Sequence, residues 1–454
     1  MVLHLPRQFL RFPNCWFAGH TCAKMYDLGY LAVVGIGLLT PMLHASPLGM
    51  HESRQEEGWP FSPLVTSGRD IKDTRNETVV YAGTNWPGHG EVMIPDGLAY
   101  QSIEGVVSKI KSVGMNAIRL TYAIQMIDEI YDNGGEDITV QAAFTQALGE
   151  TDGPARFAEF LEQNPSFDES TTRLQVFDAV AEECARQEIY INLDNHMSQG
   201  AWCCNSQDGN SWFGDTYFNV DNWTRGLAYM AEHGKGWRAL TSMSLRNELR
   251  KPQNNPELEQ SSYHWQDWYE YVRKGADAVH GANADVLVVL SGLDFDTWLT
   301  PVVQGTALTP GSGKFSRDDF AGYGEDKLVL ELHNYANSAS NCNSLKNDLY
   351  NKGYQAQHPE DDGAVNVFPV LLTEFGFDIA RDWQSVYSTC LADLLSTEKS
   401  GWFIWVLAGS YYIRSGTKDF EETWGLLNHE WSDWRSSEYV EQGLKPLIGN
   451  TAAP

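Results

Sequence analysis

Short apolar runs of strand length alternate along the chain with amphipathic stretches of helix length. Eight runs are predicted strands: Val79–Thr84, Ala117–Thr121, Ile189–Leu193, Leu240–Leu245, Val286–Leu290, Leu328–Leu332, Val367–Thr373 and Trp402–Leu407. Apolar residues recur at helical spacing between them, as in Ile103–Val113, Leu174–Gln187, Trp223–His233, Tyr263–Val279 and Trp383–Leu395. Strands that alternate with crossover helices favour a parallel sheet, and eight such repeats are the number that closes a barrel. We therefore predict an α/β fold, a (β/α)8 TIM barrel.

Three long insertions follow predicted strands, at Asp128–Thr172, Gly200–Asn222 and Gly409–Trp431. Loops that follow the strands of such a barrel lie on the face where its active sites are built. No repeat and no Ser/Thr/Pro-rich linker divides the chain, so residues 76–450 are predicted to form one barrel domain. Residues 46–75 are polar, contain Pro and Gly, and are predicted to lead into that domain.

The first 45 residues have the order of a secretory signal peptide. Basic residues precede an apolar stretch, Leu28–Leu43, which is followed by the small residues Ala45 and Ser46. Pro41 interrupts the stretch, which is short for a membrane span. We expect cleavage near Ala45 and a secreted, extracellular protein. Retention of residues 1–45 as a membrane anchor and a translation start at Met25 are alternatives.

Passage through a secretory route would allow disulfides and N-glycosylation. Cys342 and Cys390 are the candidates for a long-range disulfide. Cys184 lies on the apolar stripe of a predicted helix and is expected to be a buried free thiol. The adjacent loop residues Cys203 and Cys204 could be bridged to each other or bind zinc, and we favour no metal.

Two sequons are present in the chain. They begin at Asn76, in Asn-Glu-Thr, and at Asn222, in Asn-Trp-Thr. Both residues are N-glycosylation candidates if the chain is secreted.

The charge balance excludes two classes of partner. The 454-residue chain carries 32 basic and 60 acidic residues, a net charge of −28, and has no basic cluster. Nucleic acids and anionic membranes need Lys- and Arg-rich faces, so neither is an expected partner. Neutral sugars fit this balance, and aromatic side chains offer flat faces to their rings. The 16 tryptophans could equally reflect a large core. Nothing in the chain indicates an obligate protein partner.

Two glutamates stand at the ends of predicted strands. Glu248 ends the run Ser244-Leu245-Arg246-Asn247-Glu248, and Glu374 follows Leu371-Leu372-Thr373. Side chains at the carboxyl ends of barrel strands converge on one face. Two facing carboxyl groups supply the proton donor and the nucleophile or base that glycosidic bond cleavage needs. A single glutamate at such a position is more often a surface ion-pair partner or a helix cap. The catalytic interpretation therefore depends on the other residues found at the strand ends.

Polar and aromatic residues accompany the glutamates in strand order: Arg119 (second strand), Asp194-Asn195-His196 (third), Asn247-Glu248 (fourth), His333-Asn334-Tyr335 (sixth), Glu374 (seventh) and Trp405 (eighth). On these residues the chain resembles glycoside hydrolase family 5 over residues 79–432. It is most similar to the family's eukaryotic, plant and fungal cellulase-like branch, through the runs Leu193–His196, Gly200–Asp215, Ser244–Arg250 and Gly409–Tyr412.

The resemblance implies a retaining mechanism with Glu374 as nucleophile and Glu248 as acid/base. For these roles the pKa of Glu248 would be raised and that of Glu374 lowered by nearby donors. Arg119 and Tyr335 would be those donors. No cofactor is implied.

The other matching residues would bind the sugar. Asn247 would hydrogen-bond the 2-hydroxyl, His196 and His333 would bind other hydroxyls, and Trp405 would stack under the attacked ring. Three residues also have a structural interpretation. Arg119 could belong to a buried ion pair, and His196 and Trp405 could be core residues.

The substrate expected from the resemblance is a β-glucan or β-glucoside, with endo-β-1,4-glucanase activity as the first expectation. Mannans, diglycosides and glycolipids are alternatives, because fold does not select among them. A metal-dependent barrel hydrolase that uses His196 and His333, and an inactive carbohydrate-binding barrel, are the alternatives from other functional classes.

Overall fold

The computed structural model describes residues 58–452. The predicted signal peptide and residues 46–57 of the predicted lead-in lie outside the described residues. Within residues 58–452, no helix is both long enough and apolar enough to cross a membrane.

Eight parallel strands form a closed barrel, which confirms the predicted fold. They are β1 (Ala82–Trp86), β2 (Ala117–Ala123), β3 (Tyr190–Met197), β4 (Leu240–Ser244), β5 (Leu287–Leu290), β6 (Leu328–Asn334), β7 (Val370–Phe375) and β8 (Gly401–Ile404). Each strand pairs with the next, and β8 pairs with β1. All eight overlap the predicted runs, but their ends differ by up to a few residues.

Within residues 58–452, twelve α-helices connect or flank the strands. They are α1 (Ile103–Ser112), α2 (Ile124–Asp132), α3 (Val140–Gln163), α4 (Arg173–Arg186), α5 (Val220–His233), α6 (Pro256–Ser262), α7 (Trp265–Ala282), α8 (Thr300–Val303), α9 (Cys342–Lys352), α10 (Val386–Glu398), α11 (Ser437–Tyr439) and α12 (Lys445–Thr451). Polar caps fix several starts: the Thr172 side chain accepts from the N–H of Gln175, and the Gln175 side chain accepts from that of Thr172. The five predicted helices correspond to α1, α4, α5, α7 and α10.

The interior of the barrel changes from apolar to polar along the strands. Alternate residues of a strand face the same side, so Ala117 and Arg119 of β2 both point inward. At the amino-terminal end the inward residues are apolar, and Leu64 and Ile71 join their cluster. Both belong to the segment before β1, which contains a short antiparallel hairpin, Val65–Ser67 with Asp70–Lys72. The described part of the predicted lead-in therefore packs against the bottom of the barrel.

The three predicted insertions lie after strands, at the polar end of the barrel. The first contains α3, which is broken at Gly149, where φ is +87°. The second is the loop between β3 and α5, called the β3 loop below. The third is an antiparallel pair of strands, Ser410–Arg414 and Thr417–Glu421, called the β8 hairpin below.

The predictions for Cys342, Cys390 and Cys184 are confirmed. Cys342 and Cys390 form a disulfide that joins α9 to α10, with their Cα atoms 5.4 Å apart. Cys184 is a fully buried free thiol in α4. Cys203 and Cys204 are bonded to each other in the β3 loop, so neither sulfur is a free thiolate in this state.

Candidate active site

A tight turn after β4 positions Glu248 in the barrel mouth. The chain adopts a left-handed conformation at Glu248, where φ is +49°. Non-glycine residues rarely adopt it, so surrounding contacts must hold it. The N–H of Glu248 donates to Asp296 Oδ2 at 2.7 Å, and Arg250 donates to the Glu248 carbonyl at 2.9 Å. These bonds aim the carboxyl group at the barrel axis.

Glu374 lies within β7, near its carboxyl end. Arg119 Nη1 donates to one carboxylate oxygen of Glu374 and the Tyr335 hydroxyl to the other, both at 2.8 Å. A carboxylate that accepts from a cation and a hydroxyl is held in one orientation and favoured in its ionised form.

The two carboxyl groups face each other. His333 is paired with Glu374 across the β6–β7 register, and its Nδ1 lies 3.1 Å from Glu248 Oε1 and 3.6 Å from Glu374 Oε2. One oxygen of each glutamate and one His333 nitrogen lie within 4.8 Å of one another. That spacing fits the roughly 5–5.5 Å between the carboxyl groups of retaining glycosidases and is shorter than the roughly 6.5–9.5 Å of inverting enzymes.

Arg119 joins the site from below. It is fully buried and donates to Asn85 at 3.0 Å and to Asn247 at 2.9 Å, in addition to Glu374. Its Nη2 also lies 3.0 Å from a carboxylate oxygen of Asp194. Arg119 therefore belongs to a buried ion-pair network and also donates to Glu374. The structural and the functional interpretation of this residue are compatible.

Trp405 and His196 form one side of the site. Their rings stack with centroids 5.4 Å apart and an interplanar angle of 14°. His196 Nδ1 lies 2.6 Å from Asp194 Oδ2, which fixes the ring. The ring of His89 lies behind it, with a centroid distance of 3.9 Å. His196 and Trp405 both line the cavity, whereas the His333 ring faces the two carboxylates rather than the open space.

Two buried acids in the site were missed from the sequence. Asp296, after β5, accepts from the Glu248 N–H and lies 3.8 Å from His333 Nε2. Glu331, in β6, accepts from the Ser244 hydroxyl at 3.0 Å and lies 3.9 Å from Arg119. Glu331 precedes His333 by two residues on one strand, so the period of two could have placed it inside the barrel. No comparable pattern surrounds Asp296.

Burial dominates the electrostatics of the catalytic pair. Desolvation raises the pKa of Glu248 to about 7, against Arg250 and Arg119, with Asp194 and Asp208 adding to the rise. It also raises the pKa of Glu374 to about 7, although His333, Arg119 and the Tyr335 hydrogen bond oppose it. The expected lowering of the Glu374 pKa is therefore wrong. The cost of burying the charge exceeds the effect of the donors.

The pair opens into a cavity of about 500 Å³. Its walls are largely aromatic and polar residues of the β3 loop, the strand ends and the β8 hairpin region: His196, Trp202, Cys203, Cys204, Asn247, Tyr335, Trp405, Arg414, Phe420, Glu421, Glu422, Thr423 and Trp424. The Asn247 amide lies 3.5 Å from both bonded sulfurs. Aromatic faces with a few convergent polar groups are typical of small-ligand sites.

The same atoms could in principle hold a cation. Glu248, His333 and Glu374 each offer one ligand atom within the 4.8 Å cluster. Both oxygens of Glu374, however, already accept hydrogen bonds from Arg119 and Tyr335.

Comparisons with known proteins match most of the chain. The family model "Cellulase (glycosyl hydrolase family 5)" matches residues 75–410. A "Glycosyl hydrolase 5 family protein" of Chamaecyparis obtusa is 34% identical over 395 residues, which cover 84% of this chain and 65% of that relative's length. An "Endoglucanase" of Paenibacillus polymyxa is 21% identical over 405 residues, which cover 84% of this chain and 87% of that protein.

Solved structures share the fold at low sequence identity. The catalytic domain of the major endoglucanase from Xanthomonas campestris pv. campestris has a TM-score of 0.62 at 17% identity, covering 86% of this chain and all of that one. A cellotetraose complex of an endocellulase from Pyrococcus horikoshii has a TM-score of 0.63 at 16% identity, covering 85% of this chain and all of that one.

Proposed function

Since this chain belongs to glycosyl hydrolase family 5, we propose that it is a retaining glycoside hydrolase that cleaves β-D-glucosidic bonds in β-glucans or β-glucosides. The observation that carries the proposal is the facing pair, Glu248 and Glu374, with carboxylate oxygens within 4.8 Å. No space for an ordered water between them is needed when one carboxylate attacks the sugar itself.

The first step forms a covalent intermediate. Ionised Glu374 attacks the anomeric carbon, and the bond from that carbon to the leaving oxygen breaks. Glu248 gives its proton to the leaving oxygen, which departs as an alcohol. A glycosyl ester of Glu374 remains, and Glu248 is now ionised.

The second step returns the enzyme to its starting state. Ionised Glu248 takes a proton from a water molecule, whose oxygen attacks the anomeric carbon and breaks the ester. The sugar leaves with its original anomeric configuration. Glu374 is again a carboxylate, and Glu248 is again protonated.

The neighbouring residues suit these steps. Arg119 and Tyr335 hold the attacking carboxylate in place, and positioning of this kind lowers the barrier by supplying orientation in advance. Asn247 is fixed by Arg119 at 2.9 Å and lines the cavity, where its amide can reach a sugar hydroxyl. Trp405 offers its ring face to the attacked sugar.

Two kinds of observation support a glucosidic substrate. The cavity is lined by rings and neutral or paired polar groups, as expected for an uncharged sugar. The names of the Paenibacillus and Xanthomonas proteins support β-glucan, so endo-β-1,4-glucan cleavage remains the first activity to test. Mannans, diglycosides and glycolipids stay alternative substrates.

We also propose that the protein is secreted and glycosylated. The apolar leader Leu28–Leu43 and the two sequons support this route. Asn76 is exposed in a turn and is the more accessible acceptor. Asn222 is half-buried, and its amide donates to Asp128 at 3.0 Å.

A substrate panel with a chelator control tests the proposed function. Aryl β-D-glucosides, β-mannosides and soluble β-glucans are incubated with the mature protein, before and after dialysis against a chelator. We expect hydrolysis of at least one β-glucoside or β-glucan, at the same rate after dialysis. A rate lost on dialysis and restored by zinc or manganese would favour the metal-dependent alternative. No hydrolysis of any glycoside would favour the inactive binding barrel.

The pH dependence follows from the two raised pKa values. Activity needs the pair to hold one proton, on Glu248. Below the lower apparent pKa of the pair Glu374 is protonated and cannot attack, and above the higher one Glu248 cannot donate. Since burial raises both pKa values to about 7, we expect a bell in kcat/KM centred close to neutrality. Exposed carboxyl groups would give a more acidic bell, because their pKa lies near ~4.3. A pH profile with a maximum below about pH 5 would contradict this expectation.

A further inference from the structure

The β3 loop and the β8 hairpin meet over β1 and β2. Trp202, in the β3 loop, has its ring centroid 5.1 Å from that of Tyr411 in the β8 hairpin and 6.2 Å from that of Trp405. The guanidinium carbon of Arg414, also in the β8 hairpin, lies 3.6 Å from the Trp202 ring centroid. In the barrel, β1 and β2 are the strands between β8 and β3. The contact therefore forms a wall along one side of the barrel mouth, over these two strands.

A second contact holds Arg414 on Trp202. Arg414 Nη1 donates to Glu422 Oε2 at 2.5 Å, and Glu422 Oε1 accepts from the N–H of Trp424 at 3.0 Å. A guanidinium over an indole face is attracted by the negative face of the ring. The ion pair also leaves the wall without net charge, which suits a neutral ligand.

The wall continues around most of the cavity. The ring of Trp424 lies 5.9 Å from that of Tyr335, which joins the region after β8 to that after β6. On the other side, the Cys203–Cys204 pair contacts the Asn247 amide at 3.5 Å and joins the β3 loop to β4. Among the described residues that line the cavity, none comes from the loop after β5. The loop contacts named above bridge every other part of the barrel mouth, so we place the lateral opening over β5, between Glu248 and Tyr335.

The position of Glu248 decides which part of a substrate faces that opening. A proton donor must lie within hydrogen-bond reach of the leaving oxygen, so the leaving group passes Glu248 and continues over β5. The sugar attacked by Glu374, with any units on its non-reducing end, extends the opposite way. That direction leads to Trp405 and then to the wall of Trp202 and Arg414.

We infer that this wall closes the non-reducing side of the cavity after about two hexose units at most, so that the enzyme removes a terminal mono- or disaccharide. The substrate class is then the non-reducing end of a β-glucan oligosaccharide, or a β-glucoside with a variable leaving group over β5. The inference rests on the proposed function, and it replaces the internal cutting expected of an endoglucanase with cutting near the non-reducing end. The inference depends mainly on Trp202, because its ring lies next to that of Trp405, which is proposed to stack on the attacked sugar.

Product analysis of the unaltered protein tests the inference. Cellopentaose labelled at its reducing end and a soluble β-glucan are digested, and products, reducing ends and viscosity are followed. We expect mono- or disaccharide from the first time points, labelled chains that shorten stepwise, and viscosity that falls slowly for each new reducing end. Rapid loss of viscosity with products of intermediate length would overturn the inference while leaving the proposed function intact. Absence of hydrolysis of any β-glucoside would overturn both.

Opening the wall provides an independent test. Trp202→Ala and Arg414→Ala should each raise the ratio of viscosity-lowering activity to aryl β-glucosidase activity, by roughly tenfold. The ratio is taken within one preparation and does not depend on the folded fraction. Trp202→Phe keeps a ring in the wall and should keep the original ratio. Arg381→Ala, at an arginine whose side chain is 78% exposed, is the matched control. An unchanged ratio in both wall variants would contradict the inference.

Discussion

Glu374→Gln is expected to reduce kcat/KM at least about 10⁴-fold on every substrate that the protein hydrolyses. An amide cannot attack the anomeric carbon to form the ester, and it presents no negative charge to the developing cation. Glutamine keeps the size of the side chain. Its amide oxygen can accept from Arg119 and its NH2 group can donate to the Tyr335 hydroxyl oxygen, so the fold should survive. Steady-state kinetics on an aryl β-glucoside, with circular dichroism as the folding check, measure the effect.

The control for this variant is an equivalent change away from the cavity. Glu360, whose side chain is 72% exposed, can be changed to Gln without touching the site. Glu360→Gln should retain full activity. If folded Glu374→Gln kept more than about one hundredth of the activity, Glu374 would not be the nucleophile.

Glu248→Ala is expected to have an effect that depends on the leaving group. Glycosides with poor leaving groups need the proton and should lose roughly 10²–10⁴-fold in rate. Glycosides with acidic phenols as leaving groups need no proton for the first step and should still form the intermediate. Removal of the side chain also leaves space for azide. Azide attacks the anomeric carbon of the Glu374 ester without help from a general base, so it should restore turnover and give a glycosyl azide.

Two readouts separate this role from a structural one. The azide product should keep the β configuration, because it arises from the Glu374 ester. With an acidic phenol, the alkaline limb of the pH profile should disappear, because that limb reports loss of the Glu248 proton. Equal loss on all substrates, with no response to azide, would assign Glu248 a structural role instead.

Strand positions were predictable because barrel strands are buried on both faces. Each appears as a short apolar run, and the residue that ends the run falls at the barrel mouth. Arg119, Asn247 and Tyr335 could be placed on that basis and lie together in the structure. Exact strand ends were not predictable, since they depend on register. The β6–β7 register shifts between Leu332 and His333, which brings Glu374 opposite His333 and breaks the simple alternation from Leu371.

The remaining features depend on contacts distant in sequence. Asp296 reaches the site from a loop after β5 and is defined by its bond to the Glu248 N–H. The wall depends on Trp202 meeting Arg414, more than 200 positions later, and no local pattern encodes that meeting. The pKa of Glu374 depends on how deeply the site is buried. The hydrogen-bond donors around a carboxylate can be predicted from the strand positions. The extent to which the folded protein removes solvent from that carboxylate cannot.

Trapping the glycosyl-enzyme intermediate is the most direct test of Glu374 as the nucleophile. A 2-deoxy-2-fluoro-β-D-glucoside with an activated phenol as leaving group forms the ester but hydrolyses slowly, because the fluorine destabilises the cation-like transition state of both steps. Peptic digestion and mass spectrometry then locate the added sugar. We expect one fluoroglucosyl group for each active protein molecule, attached to Glu374. An adduct on another carboxylate, or no adduct together with release of the α-anomer from an ordinary β-glucoside, would contradict it.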